Sequence, residues 1–190
     1  TGLRYCLNSD ALIFISEDHL AKAPAEAFAS SAGKLEKATF AAGRFWNVEE
    51  AFRTVPGVVD TTVGYIGGNL ENPTDDQVAS QETGHAEAVE VLFDPGMIAY
   101  NDLLDIFWSI HDPTQDDGQG QDRGSQFRSA IFTHSTKQLH EARRSMDLQD
   151  ASGRFAWPIV TQIRPATRFW RAEDHHQRYI VKKSSHHNRG

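Results

Sequence analysis

"ATFAAGRFWNVEEAF", residues 38–52, decides the architecture. Its first part reads as a short strand ending in Gly43, and beyond that turn Val48, Ala51, Phe52 and Val55 recur at helical spacing. A strand passed through one glycine into an amphipathic helix sets up the alternation that the rest of the chain continues. Arg44, at the start of that helix, is out of place on physical grounds. The first turn of a helix presents unpaired backbone N–H groups and the positive end of the macrodipole, which favour an anion or a thiolate and oppose a guanidinium.

Outward from this unit, "VVDTTVGYIGG" (58–68) is β-branched and closes on two glycines, as a strand entering a turn does. Residues 69–84 are expected as loop, and "HAEAVEVLFDP" (85–95) as a strand stopped by Pro95. Tyr100, Leu103, Leu104 and Phe107 stand at i, i+3, i+4, i+7, which predicts a helix over 100–111. A Gly- and Asp-rich loop follows over 112–124, then a strand in "FRSAIFTH" (127–134). Ser135 and Gln138 form a capping-box signature for a helix through Met146. "WPIVTQIRP" (157–165) reads as a strand, and "AEDHHQRYIVKK" (172–183) as a last helix with His176, Tyr179 and Ile180 on its inner stripe. There is no internal repeat. Strands interleaved with helices of this length predict an α/β (α+β) fold, a two-layer sandwich of one mixed sheet with packed helices.

With 190 residues the chain can bury one sizeable core. A formal net charge of −7 argues against a nucleic-acid surface and against a basic helix lying on a membrane. No stretch approaches the length of a membrane span and the N-terminus lacks a signal-peptide pattern, so a soluble, cytoplasmic protein is the expectation. Cys6 is the one cysteine, which excludes an internal disulfide and a two-thiol relay within the chain. Residues 16–37, rich in Ala, Ser and charge, fit a linker. The strand-like "TGLRYCLNSDALIFI" before it has no partner strand nearby and reads like the end of something longer.

These motifs have a recognisable order. "ATFAAGRFWNVEEAF", "GYIGG", "NPT", "TGHAEAVEV", "DLLDIFWSIHDPTQ", "QFRSAIF" and "AEDHHQRY" resemble, in sequence and spacing, the A-type peptide methionine sulfoxide reductases, which reduce the S-epimer of methionine sulfoxide. Separately, Arg4, Tyr5, Cys6 and Asn8 resemble the setting of the nucleophilic cysteine near the C-terminus of the B-type reductases, which act on the R-epimer. The resemblance implies a B-type tail-like segment over 1–17, a linker over 18–36, an A-type domain over 37–183 and a flexible tail over 184–190. It implies no bound cofactor, with thioredoxin or another thiol as external reductant. The implied partners are oxidised methionine in proteins or peptides, thioredoxin, and an upstream B-type domain.

Sulfoxide reduction requires a thiolate to attack sulfur while an acid protonates the departing oxygen, and a second thiol to clear the resulting sulfenic acid. The resemblance places the family's nucleophilic cysteine at Arg44, which stays protonated and has no lone pair to attack with. Phe45 and Trp46 correspond to the aromatic pair around the substrate methyl group, although aromatics at a helix start are ordinarily core residues. Glu87 corresponds to the proton donor. Strand alternation puts it on the face of Val89, Val91 and Phe93, where burial raises a carboxyl pKa. Asp122 corresponds to a supporting carboxylate, while Asp75 and Phe127 stand where the family has tyrosines that bond the sulfoxide oxygen. No cysteine follows in "KKSSHHNRG" to resolve a sulfenic acid.

Two outcomes for Arg44 are open at this level. It projects into the old pocket and pairs with Glu87, Asp122 or Asp75, since a buried unpaired guanidinium costs several kcal/mol, or it snorkels to solvent and the pocket decays. The expected function is accordingly a degenerate, inactive or very weakly active homologue of the repair reductases: a sulfoxide- or methionine-binding pseudoenzyme, or a structural companion to a B-type domain. The alternative is an active thiol-dependent reductase using Cys6 of a B–A fusion. The nine histidines include two adjacent pairs, His175–His176 and His186–His187, whose rings diverge on a helix or dangle in a tail, so no metal site is expected. The loop containing Asp112, Asp116, Asp117 and Asp122 lacks the ligand alternation of a calcium loop. "GYIGG" is too short for a phosphate loop and is expected to fix a turn beside the pocket.

Overall fold

At Gly43 the backbone takes φ 93°, a conformation that a side chain opposes, and so turns β1 (Glu36–Ala42) into α1 (Phe45–Arg53) with Arg44 at the N-cap. The computed structural model describes residues 34–187. Cys6, the B-type-like segment over 1–17 and nearly all of the expected linker lie outside the described residues.

After α1 the chain forms β2 (Val58–Ile66), a one-turn helix α2 (Asp75–Ala79), β3 (Ala86–Phe93) and α3 (Tyr100–Ser109). A two-strand hairpin, β4 (Gly118–Gln119) with β5 (Asp122–Arg123), leads to a 3-10 turn at Ser125–Phe127 and β6 (Ser129–Thr133). Then come α4 (Thr136–Ala151), β7 (Gln162–Pro165), β8 (Trp170–Arg171) and α5 (Tyr179–His187). The main sheet runs β7-β6-β1-β3-β2-β8, with β6 and β7 parallel and every other pair antiparallel, so it is mixed as the sequence implies.

Period-two alternation sorts the side chains. Phe40, Val63, Tyr65, Val89, Val91, Phe93 and Ile131 point to the helix-covered face, where they join Phe45, Phe52, Leu103, Leu104, Phe107, Trp108 and Ala142 in one buried cluster. Phe40 stacks on Phe52 at 4.9 Å between ring centroids and on Phe107 at 5.4 Å. The opposite face carries Ala41, Ala86, Ala88 and Ala130 with Ile66 and Phe132, and is covered by Ala166 and Phe169 of the segment before β8. Small residues there let irregular backbone close on the sheet without a second helical layer. Gly68 serves the same close approach: a Cβ would lie 2.3 Å from the Thr83 carbonyl oxygen and 2.4 Å from the His85 nitrogen. The "GYIGG" turn is thereby pinned against the approach to β3.

Several elements differ from expectation, among them the β4–β5 hairpin inside the expected loop over 112–124 and the short strand β8. Residues 69–84 contain α2, whose single buried apolar residue, Val78, leaves no periodicity to read, although Thr74 and Gln77 cap it reciprocally. The helix after Ser135 extends to Ala151, and only Gln162–Pro165 of the expected 157–165 strand joins the sheet. The last helix begins at Tyr179 rather than near Ala172, because the preceding motif uses its side chains as clamps. Gln177 Nε2 donates to the carbonyls of Val63 (2.9 Å) and Ala172 (2.8 Å), and Arg178 takes φ 52° with its N–H on buried Glu49. That helix continues to His187, and the Ser184 and Ser185 hydroxyls donate back to the carbonyls of Ile180 and Val181. Among the described residues no helix is long and apolar enough to cross a membrane, and no group of three His, Cys, Asp or Glu side chains could hold a metal.

Candidate active site

Arg44 caps α1 in extended conformation, φ −61° and ψ 118°, and makes no capping bond with its side chain. The guanidinium instead closes on Asp122 of β5: Nε donates to Oδ2 at 3.2 Å and Nη2 to Oδ1 at 2.6 Å, a bidentate pair. Its carbon stands 5.2 Å from the Trp46 ring centroid and 4.9 Å from that of Phe127, within cation–π range of both. The Asp122 bond above all holds Arg44 protonated, with Glu87 and Asp75 adding charge but no hydrogen bond to it. Nη1 donates no hydrogen bond within the described residues. The side chains of Arg44 and Asp122 are 33% and 37% exposed, so solvent screens the pair. Asp122→Ala is therefore expected to cost no more than about 1 kcal/mol in urea unfolding, despite the good geometry.

Glu87 stands on the helix-covered face of β3 and is 5% exposed. Its Oε2 accepts the Phe45 backbone N–H at 3.0 Å, so a β3 carboxylate takes up one of the donors that the first turn of α1 leaves without an intrahelical partner. Burial pushes Glu87 up to about 7, against the Phe45 bond and the Arg44 charge, which pull it down. The site thus holds a carboxyl group that is a useful acid near neutrality.

Across the β2–β3 ladder Tyr65 is the register partner of Glu87, and it is fully buried. The Tyr65 hydroxyl donates to Glu173 Oε2 at 3.0 Å and lies 3.4 Å from Asp75 Oδ1. Burial first, then Asp75 and Glu173, push this phenol up, so it remains a donor. Glu173 also accepts the Asp75 backbone N–H at 3.0 Å, which docks the start of α2. Asp75 therefore reaches the site from α2, held by Glu173. Phe45 is 1% exposed and packs against Tyr65 and His176, whereas Trp46 is half-buried. Phe127 is buried at the end of the 3-10 turn.

The fold brings Arg44, Phe45, Trp46, Asp75, Glu87, Asp122 and Phe127 to the start of α1 and the strands and loops beside it. Cys6 lies outside the described residues. The sequence reading missed Tyr65, Glu173 and His176 at the same place. Tyr65 could have been found by carrying strand alternation across the β2–β3 pairing. Glu173 and His176 sit in "AEDHHQRY", which the sequence reading used for helical periodicity and for the resemblance but not for site roles.

The peptide methionine sulfoxide reductase family model matches residues 36–189. The chain is 57% identical over 149 residues to peptide methionine sulfoxide reductase MsrA of Methanoculleus marisnigri, covering 78% of this chain and 91% of that protein. Among solved structures, methionine sulfoxide reductase A of Corynebacterium diphtheriae superposes with a TM-score of 0.77 at 35% identity, covering 81% of this chain and 77% of that one. Mxr1 from Saccharomyces cerevisiae in complex with Trx2 matches with a TM-score of 0.55 at 28% identity, over 78% of this chain and 87% of that one. An unbroken family match over the described fold and high identity to full-length relatives lead to one conclusion: the chain belongs to the A-type peptide methionine sulfoxide reductases.

Proposed function

We propose that this chain recognises oxidised methionine without reducing it, as a member of the repair family in which Arg44 occupies the seat of the nucleophile. The observation that carries this reading is the bidentate Arg44–Asp122 pair at the start of α1. A guanidinium held there cannot attack sulfur, and Cys6 is the one thiol of the chain.

What remains suits a sulfoxide ligand. Nη1 of Arg44 and the proton of Glu87 are donors for the strongly polar S–O oxygen, and Trp46 and Phe127 offer apolar surface to the methyl group. A thioredoxin partner of the kind seen with the yeast relative could exchange electrons only through Cys6. The resemblance at Arg4, Tyr5, Cys6 and Asn8 supports that second reading, an active reductase with a B-type portion.

The test is calorimetry with three forms of one peptide, carrying the S-sulfoxide, the R-sulfoxide or methionine, followed by mass spectrometry after incubation with dithiothreitol. The expected result is selective binding of an S-sulfoxide that stays oxidised. Equal affinity for the methionine peptide would contradict recognition and favour a structural-companion role. Reduction that vanishes in Cys6→Ser would assign the chemistry to the N-terminal thiol instead.

A further inference from the structure

Trp46 is gripped more closely than a wall residue needs. Its ring stacks on Tyr179 at 4.0 Å between centroids, and its Nε1 donates to His176 Nδ1 at 3.1 Å. An indole N–H can only donate, so Nδ1 of His176 must be the bare nitrogen and the proton of the neutral ring sits on Nε2. That second nitrogen faces Asp75 Oδ2 at 3.5 Å and Glu173 Oε2 at 4.0 Å, and the His176 side chain is only 6% exposed. An imidazolium carries hydrogens on both nitrogens. Protonating His176 would therefore set two donors against each other at 3.1 Å and break the bond to Trp46.

We propose that His176 is the positioning residue for the Trp46 indole, holding it through a neutral imidazole and releasing it when that ring is protonated. The charges around His176 come from each element packed on it. Asp75 approaches from α2, Glu173 and exposed His175 from its own segment, and the Tyr65 hydroxyl from β2 bonds Glu173 and lies 3.4 Å from Asp75. Arg44, at the start of α1, lies over the Trp46 ring. Burial, first among the causes, holds His176 below its ordinary range, with His175 acting the same way and Asp75 and Glu173 opposing. Burial thereby favours the neutral ring, which accepts the Trp46 N–H, and acidification works against that bond. The role of Trp46 as a ligand wall rests on the reading given under Proposed function, but the pairing with His176 is independent of any ligand.

The experiment is proton–nitrogen NMR of the full chain, following the four indole N–H groups from pH 8 to pH 5, with Trp46 assigned by Trp46→Phe. Trp108, whose Nε1 donates to Ser145 Oγ at 2.8 Å, is the internal control for folding. The Trp46 N–H is expected to be protected from solvent exchange at pH 8 and to lose about tenfold protection as the His176 ring signals titrate, the factor for one neutral hydrogen bond. His176→Phe, which keeps a ring for stacking, should expose the Trp46 N–H at every pH. His176→Asn, whose amide oxygen replaces Nδ1 as acceptor, should restore protection without pH dependence. Trp46 protection that is unchanged while His176 titrates, or that survives in His176→Phe with the Trp108 signal intact, would overturn the proposal. Neither readout uses a sulfoxide, so failure of ligand recognition and failure of this pairing are seen separately.

Discussion

Arg44→Cys, made in a Cys6→Ser background, is expected to reduce an S-sulfoxide peptide with dithiothreitol on the order of 100-fold or more faster than the same chain with Arg44 retained. The argument starts from the N-cap of α1. A thiol there meets the positive end of the helix, which favours the thiolate. The thiolate attacks the sulfoxide sulfur; the S–O bond of the substrate then breaks as the oxygen passes to the cysteine sulfur, with one proton taken up from the acid, leaving methionine and a cysteine sulfenic acid. Dithiothreitol then reduces the sulfenic acid to thiol and water and is itself oxidised to its disulfide. Glu87, poised by burial at about 7, is the acid already present for the first step. The gain should stop short of a complete site, because Asp75 and Phe127 lack the hydroxyls that the resemblance places on the oxygen. Adding Phe127→Tyr should raise the rate further, as a returned donor to a developing oxyanion does. Peptide reduction followed by chromatography measures both steps. A folded Arg44→Cys chain with no gain would mean that the acid and the aromatic wall are not arranged for this chemistry.

Glu87→Gln should raise stability at pH 8 by up to about 3 kcal/mol and leave it nearly unchanged at pH 4. The sign follows from the direction of the shift. Glu87 is pushed up to about 7 from an ordinary carboxyl value near 4.5, so the folded state holds its proton more tightly than the unfolded chain does. The contribution of that proton is fully present below pH 4.5 and is lost as pH rises through 7, where ionisation inside the core must be borne. Glutamine keeps an oxygen for the Phe45 N–H and has nothing to ionise. Urea unfolding of both forms across pH 4 to 8 reads the difference as a widening gap in midpoint. In the Arg44→Cys background the same change should lower turnover about 100-fold by removing the proton donor. A parallel pair of stability curves would show that Glu87 is ionised without cost, and the acid assignment would fall with it.

The β1–α1 unit and the alternation of the main strands and helices along the chain were legible because their signals are local: a glycine turn, a helical stripe and alternation along β3; the order of the strands in the sheet was not. Glu87 was legible by the same alternation, and it does stand among Val89, Val91 and Phe93 on the buried face. Five-residue α2 was not, since one apolar side chain carries no period. "AEDHHQRY" misled for a different reason. Its helical spacing is real only from Tyr179 onward, while Glu173, His176 and Gln177 are spent on bonds to α2, α1 and β2 that no local pattern announces. For Arg44 the sequence offered pairing or escape to solvent and three acidic candidates. Asp122 is bonded to it, whereas Glu87 bonds Phe45 and Asp75 lies beside Tyr65 and His176. That choice depends on where the β4–β5 hairpin lands, which is a property of tertiary packing.

The most direct measurement is the simplest: the chain with Arg44 intact and Cys6→Ser, incubated with an S-sulfoxide peptide and dithiothreitol, with methionine formation followed by mass spectrometry. The proposed reading, with Arg44 where an electron-pair donor is required, predicts no methionine above the dithiothreitol blank. Reduction as fast as that of the Arg44→Cys form would contradict the account.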